Sequence, residues 1–300
     1  RVKLVTFTGS TPVGRSLAQK ASPYFKKITL EMGGKNPLIV LADADLDYAV
    51  NTASFGVFIH QGQICMAGTR VIVEQPIYES FLKKLVAKVK TLKMGNPRDH
   101  DTVIGPLIQG RQCEFIAKQL EDARKKGARV LIGGSYKGNF FEPTVLADIT
   151  REMDCYDIEN FGPVIGVMAA KDSEDALRIA NDTAYGLSSA VITNDLQKAM
   201  DISLKLEVGM VHINSTTIHD EPHVPFGGVK NSGFGREGGR YSMDEMTELK
   251  WITIQLGQRD LLVLDEHRVV GEHGDDHVLR HQVHVPDLAR RHDLQRALRQ

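Results

Sequence analysis

Val2-Lys3-Leu4-Val5-Thr6-Phe7-Thr8-Gly9-Ser10-Thr11-Pro12-Val13-Gly14 reads as a strand, a glycine–serine turn and the start of a helix. Residues 2–8 are rich in β-branched side chains, which fit a pleated surface. Gly9 and Ser10 break that run, and residues 15–21 continue as helix. A turn of this kind leaves free N–H groups at a helix start, where the dipole favours an anion, and it is a usual seat for a dinucleotide phosphate. The spacing Gly-x-x-x-x-Gly falls short of the full G-x-G-x-x-G fingerprint. An ordinary βα turn also carries Gly and Ser, so the stretch alone leaves both readings open.

The alternation continues outward. Residues 27–30 read as a strand ending at Glu31, and 36–41 as another. Asp43, Asp45 and Asp47 place acids at a helix start, favourable to the dipole. Leu46, Val50, Ala53 and Val57 then recur at helical spacing. Strands at 71–74, 129–132, 143–146, 164–169, 189–193 and 211–214 are interleaved with helices at 76–92, 111–126, 173–181 and 196–206. This predicts an α/β fold with an open, parallel-rich sheet. Residues 215–239 form a long Gly/Pro-rich loop, a length more often functional than idle. Residues 248–256 read as a strand with apolar residues on both faces, which predicts pairing with a second chain.

Of the 300 residues, 42% are hydrophobic and 25% charged, as in a globular protein. A net charge of −1 gives no electrostatic case for nucleic acid or an anionic membrane surface. No apolar run approaches the ~18 residues that span a bilayer. The three cysteines, Cys65, Cys113 and Cys155, are too few and too widely spaced for a disulfide framework and point to a reducing, cytoplasmic setting. The first residue is Arg1, and the strand starts at once, so the chain is expected to begin inside a domain. Residues 261–300 contain no lysine but six of the 11 histidines. Their spacing matches no ligand pattern, so no metal is expected, and 259–300 are read as an atypical, disordered tail, or as translation past a frame shift.

Two loops carry candidate chemistry. Cys65 lies in Gln61-Gly62-Gln63-Ile64-Cys65-Met66-Ala67-Gly68, and Glu31 in Leu30-Glu31-Met32-Gly33-Gly34-Lys35. A cysteine nucleophile needs its thiolate, which backbone N–H groups in a turn favour. It also needs a donor for the oxyanion formed on a carbonyl, such as its own N–H. A carboxylate can then activate water against an acyl-thioester. The two loops are expected to face one another and divide these roles. Each alone has a structural reading: a cysteine in a glycine turn, and a glutamate accepting turn N–H groups. Cys113 within a helix and Cys155 in an acidic loop are weaker nucleophile candidates. His60, His212, His219 and His223 exist, yet no cysteine-protease motif surrounds Cys65.

Taken together, Phe7-Thr8-Gly9-Ser10-Thr11-Pro12-Val13-Gly14, Leu30-Glu31-Met32-Gly33-Gly34-Lys35, Gly62-Gln63-Ile64-Cys65, Glu159-Asn160-Phe161-Gly162-Pro163-Val164 and Pro225-Phe226-Gly227-Gly228-Val229-Lys230-Asn231-Ser232-Gly233 resemble, in their order, the NAD(P)-dependent aldehyde dehydrogenase family. The resemblance covers about residues 1–258. It implies that Cys65 attacks an aldehyde to give a thiohemiacetal, that hydride leaves for the nicotinamide of NAD or NADP, and that Glu31 activates water to hydrolyse the thioester. Gly9 and Ser10 take the phosphate-turn positions in this reading, and Glu159 holds the nicotinamide ribose with Phe161 beside it. His60, Ile64-Cys65-Met66 and Asn214 leading to His219-Asp220-Glu221 resemble the benzaldehyde, vanillin and salicylaldehyde dehydrogenase group, with Ile218 lining an aromatic pocket.

The resemblance also implies an organisation. Residues 1–33 would be the end of a Rossmann-type NAD(P)-binding domain, 34–232 an α/β catalytic domain, and 233–258 a return segment with an oligomerisation strand. Family members are longer, so the chain is expected to be an N-terminally truncated fragment, inactive alone, from a homo-oligomer (dimer or tetramer). Its partners would be small-molecule aldehydes, with no nucleic acid or membrane. Two other readings stay open: a non-catalytic structural or scaffold protein on the same fold, for which Cys65 and Glu31 have no use, and an acyl-phosphate reductase, for which a deacylating Glu31 has none.

Overall fold

The computed structural model describes residues 2–254. The chain divides into two compact units at Met246/Thr247. In the first, β1 (Leu4–Thr8) leads into α1 (Thr11–Ala21), and β2 (Lys27–Glu31) returns parallel to β1. Gly233–Phe234 adds an antiparallel strand to β2, completing a small three-stranded sheet. Thr8 and Glu31 are register partners at its end.

The chain then enters a larger sheet through β3 (Pro37–Val40), α2 (Leu46–Phe58), β4 (Arg70–Glu74), α3 (Tyr78–Val89), α4 (Gly110–Lys125) and β5 (Arg129–Ile132). Its seven strands run Met210–Ile213, Ser188–Ile192, β3, β4, Val164–Ala170, Thr144–Ala147, β5. All neighbours are parallel except β5, which is antiparallel to Thr144–Ala147. The expected open, parallel-rich α/β sheet is therefore present.

Helices cover both faces, and for that reason the central strands are apolar throughout rather than alternating. Successive side chains of a strand point to opposite faces. Ile39 and Ile72 join one core with Ile116 and Leu120 of α4. Leu38, Val40, Val71 and Val73 join the other with Val50, Val57, Phe81 and Leu85 of α2 and α3.

The Asp45 carboxylate caps α2 by accepting from the N–H groups of Asp47 and Tyr48. At its far end His60, Gln61 and Gly62 take left-handed φ values of 48°, 59° and 71°. That reversal carries the chain from the helix into the Cys65 turn and on to β4. Asn36 precedes β3, Cys65 precedes β4, and Pro163 precedes Val164–Ala170, so three loops meet at the amino edge of the large sheet. Glu31 reaches the same place from the carboxyl end of β2.

Some elements differ from expectation. The helix expected at 76–92 begins with a 3₁₀ turn, Gln75–Ile77, because Pro76 suits a first turn but lacks the donor an interior position needs. The helix expected at 196–206 ends at Ser203. Gly239–Met246 is helical where a return segment was expected, its glycines giving no helical signal. In the second unit, 248–254 form neither helix nor strand, against the strand expected over 248–256. That strand was expected to take its ladder from another subunit, and a single chain does not contain one. Residues 255–256 and the tail 259–300 lie outside the described residues.

The buried centre of β4 gives a direct check. Ile72 is fully buried whereas Ile108 is 78% exposed. Ile72→Ala is expected to lower unfolding free energy by about 3 kcal/mol, and Ile108→Ala by less than about 0.5 kcal/mol, in urea titrations followed by circular dichroism. Equal losses at the two positions would contradict the packing.

Candidate active site

The loops of Glu31 and Cys65 meet, and Glu31 lies within electrostatic reach of the thiol. Glu31 is buried, and its Oε1 has no hydrogen-bond partner among the described residues. Burial, the nearby Glu237 and, less strongly, Asp220 push its pKa up to about 8, against the pull of Arg236. The Cys65 thiol is partly exposed. Burial and the carboxylates of Glu31 and Glu159 raise it to about 11, while the nearby N–H groups of Met66 and of Cys65 itself pull the other way. In the free protein the thiol is thus protonated near neutrality, with a carboxyl group and two backbone N–H groups close enough to bear on it.

Between them runs Gly33-Gly34. A Cβ on Gly33 would overlap the Glu159 carboxylate, and one on Gly34 would lie 2.7 Å from the Cys65 carbonyl oxygen. The Gly34 N–H instead donates to Glu159 Oε1 at 3.1 Å. Burial raises Glu159 to about 6, partly offset by that bond and by the Lys35 ammonium. Lys35 itself is buried, which lowers it to about 8. A Cβ on Gly62 would overlap the Gly162 carbonyl. The loops holding Glu31, Cys65 and Glu159 therefore touch through backbone, and side chains at these glycines would hold them apart.

Phe161 follows Glu159 with φ of 47°, a left-handed conformation unusual for an aromatic residue. Gly9 and Ser10 stand at the N-terminus of α1. Ser10 is its N-cap, its side chain making no capping bond, while its carbonyl accepts from Gly14. The Gly9 N–H is engaged by the Glu31 carbonyl at 3.0 Å, which ties the phosphate-type turn to the carboxylate strand. That N–H is accordingly less available to a phosphate than the sequence pattern implies.

Other residues at the site carry no obvious sequence signal. Asn36 Nδ2 donates to the carbonyls of Cys65 at 2.8 Å and Ala67 at 3.0 Å. Thr217 Oγ1 donates to the Met66 carbonyl at 2.7 Å. Ser232 Oγ donates to the Gly33 carbonyl at 2.7 Å, its backbone carbonyl accepting from Met32 N–H at 3.0 Å. Ser232 at least sits in a glycine-rich motif visible in the sequence. Ile218, next to the anchored Thr217, is half-buried. Among the described residues no group of three or more His, Cys, Asp or Glu is placed to hold a metal, and no helix is long and apolar enough to cross a membrane.

This geometry fits a dinucleotide. An α1 N-terminus without side-chain cap can meet a phosphate, and Glu159 is held at the glycine pair with its second oxygen, Oε2, against Gly33.

Comparison with known proteins agrees. The sequence profile of the aldehyde dehydrogenase family matches residues 1–252. The benzaldehyde dehydrogenase YfmT of Bacillus subtilis strain 168 is 47% identical over 257 residues, covering 86% of this chain and 53% of the relative. The crystal structure of a salicylaldehyde dehydrogenase from Pseudomonas putida G7, complexed with salicylaldehyde, superposes with a TM-score of 0.84 at 44% identity, covering 87% of this chain and 54% of that one. That of the glyceraldehyde-3-phosphate dehydrogenase GapN from Methanocaldococcus jannaschii, complexed with NADP, gives 0.78 at 43% identity, covering 81% and 53%. The chain spans about half the length of the curated relatives it matches. Its ordered motifs, its two larger sheets and these likenesses agree: the chain belongs to the aldehyde dehydrogenase family.

Proposed function

We propose that this sequence is the catalytic part of an enzyme that oxidises aldehydes, aromatic ones in particular, to carboxylic acids with NAD(P)+. The observation that carries the proposal is the buried Glu31 carboxyl, its Oε1 without a hydrogen-bond partner among the described residues, within electrostatic reach of the partly exposed Cys65 thiol. The benzaldehyde and salicylaldehyde dehydrogenases among its relatives support an aromatic substrate.

In this reading the ionised fraction of Glu31, which grows as pH rises toward about 8, accepts the thiol proton as Sγ adds to the aldehyde carbon, giving a thiohemiacetal. The N–H groups of Cys65 and Met66 stabilise the oxyanion. Gly9, Ser10, Glu159 and Phe161 hold the dinucleotide, which supplies the hydride acceptor when bound. Loss of hydride leaves a thioester on Cys65. Glu31 sheds that first proton to solvent, then takes one from water as the water oxygen attacks and passes it to the departing sulfur, so the acid leaves with the thiol restored. Each turnover consumes the aldehyde, one water and NAD(P)+, and yields the acid, NAD(P)H and a proton. Ile218 and its neighbours in the long loop form part of the aldehyde pocket.

The domain reading follows the same lines: residues 1–33 belong to the cofactor domain, 34–232 to the catalytic domain, and 233–258 to the return segment, the parent enzyme being a cytoplasmic homo-oligomer. A dinucleotide platform is built from two βαβαβ halves, and only two parallel strands stand in the small sheet. The 300 residues alone are therefore proposed not to turn over.

Two measurements test this. In the full-length protein carrying this sequence, benzaldehyde is expected to drive nicotinamide reduction. Cys65→Ala abolishes it, and Glu31→Gln, which lacks the base of both steps, slows cofactor reduction and acid release alike. Full turnover in Cys65→Ala would refute the mechanism. The second concerns protons. The folded pKa of Glu31 lies above its ordinary value of 4.5, at about 8. The folded state therefore keeps a proton that the unfolded chain releases, and stability falls as pH rises through that window. Glu31→Gln removes this loss. Its melting temperature should match the parent near about pH 4 and exceed it near about pH 9, by the equivalent of a few kcal/mol. A constant difference across pH would show that Glu31 is not held protonated by burial.

A further inference from the structure

Three consecutive carbonyls of the nucleophile turn are held by buried side chains from outside it. Asn36 Nδ2 takes those of Cys65 and Ala67, and Thr217 Oγ1 takes that of Met66. The two anchors are joined to each other. Asn36 Oδ1 accepts from the Ser188 N–H at 2.9 Å, and Ser188 Oγ donates to the Thr217 carbonyl at 2.7 Å. Asn36 is 1% exposed, and Ser188 and Thr217 are fully buried. The result is a closed circuit through β3, the Ser188–Ile192 strand, the long loop and the Cys65 turn.

The circuit has a geometric consequence. The described residues contain no cis peptide, so each carbonyl points opposite to the N–H of the same peptide unit. Fixing the Cys65 carbonyl on Asn36 fixes the Met66 N–H on the other side, and that N–H is close enough to the Cys65 sulfur to favour its charged form. Donation to a carbonyl also polarises its amide and strengthens the N–H as a donor.

We propose that Asn36 is a positioning residue for the Cys65 thiolate, acting through the Cys65–Met66 peptide, and that Thr217 is the second anchor, coupling the long loop to the same turn. This rests on the reading of Cys65 as the nucleophile. Anything that displaces the loop at Ile218, including an aldehyde against it, is transmitted through Thr217 to the Met66 carbonyl.

The test needs neither cofactor nor turnover. The 300-residue chain is treated with iodoacetamide across about pH 7 to 9, and alkylation at Cys65 is followed by peptide mass mapping. Cys113 and Cys155, both buried, serve as internal reporters of loosened packing. Below the thiol pKa the rate follows the thiolate fraction. Asn36→Ala is expected to slow Cys65 alkylation about tenfold at fixed pH, in keeping with a weakened hydrogen bond to a charged acceptor. Thr217→Val slows it several-fold, and Thr217→Ser, which keeps the hydroxyl, restores the parental rate. Melting temperatures are recorded alongside. Parental Cys65 rates in both Asn36→Ala and Thr217→Val would overturn the proposal. So would equal losses in Thr217→Ser and Thr217→Val, or Cys113 and Cys155 becoming reactive in step with the change at Cys65. Should the full-length enzyme prove inert toward aldehydes, the alkylation rates still decide the positioning role, so the two failures are distinguishable.

Discussion

No side chain fits between the Glu159 carboxylate and the Cys65 carbonyl, and the chain passes there as Gly33-Gly34. Much of the site depends on this close approach. It puts Glu31, two residues earlier, within electrostatic reach of the thiol, and it delivers Asn36, two residues later, to the carbonyls of the nucleophile turn. Gly62 against Gly162 repeats the device on the other side. Replacing any of these glycines is a change in how closely three loops can approach, rather than in the chemistry of the loops themselves.

The resulting pocket is crowded with acid. Glu31 is raised by burial and by Glu237 and Asp220, with Arg236 as its opposing cation. Cys65 is raised by burial and then by Glu31 and Glu159. Such a site resists creating further negative charge, so an isolated thiolate is disfavoured. A proton moved from sulfur to Glu31 leaves the net charge unchanged, and the backbone donors act on the charge where it arrives. A carboxylate pushed toward neutral pH can both take and return a proton there.

Much of this was legible in the sequence, and the limits have physical causes. The strands of the large sheet announce themselves because they are buried on both faces, and α2 because its apolar period and acidic cap agree. Cys65, Glu31 and Glu159 stand in glycine-marked turns, and glycine is needed where backbones touch. Asn36 and Thr217 were illegible. Their partners lie 29 and 151 positions away, and a buried asparagine or threonine has the same local pattern whether or not it anchors anything. The engagement of the Gly9 N–H by Glu31 was hidden for the same reason. Helix Gly239–Met246 was missed because its opening is glycine-rich and its side chains are not buried. Residues 248–254 carry a strand pattern without forming a strand, since sequence records a preference for a sheet and not the presence of one.

The hydrogen bonds that close the site also say something about how the molecule acquires it. Ser188 meets Asn36 across 152 positions, Thr217 meets Met66 across 151, and Ser232 meets Gly33 across 199. Contacts so distant along the chain form only after long loops have closed, and parallel pairing of this kind is slow. The helices and individual strands can condense early while the thiol still lies in an unfinished turn. Completion of the site is then among the last events of refolding, and the reactivity of one sulfur reports when the whole fold has been assembled.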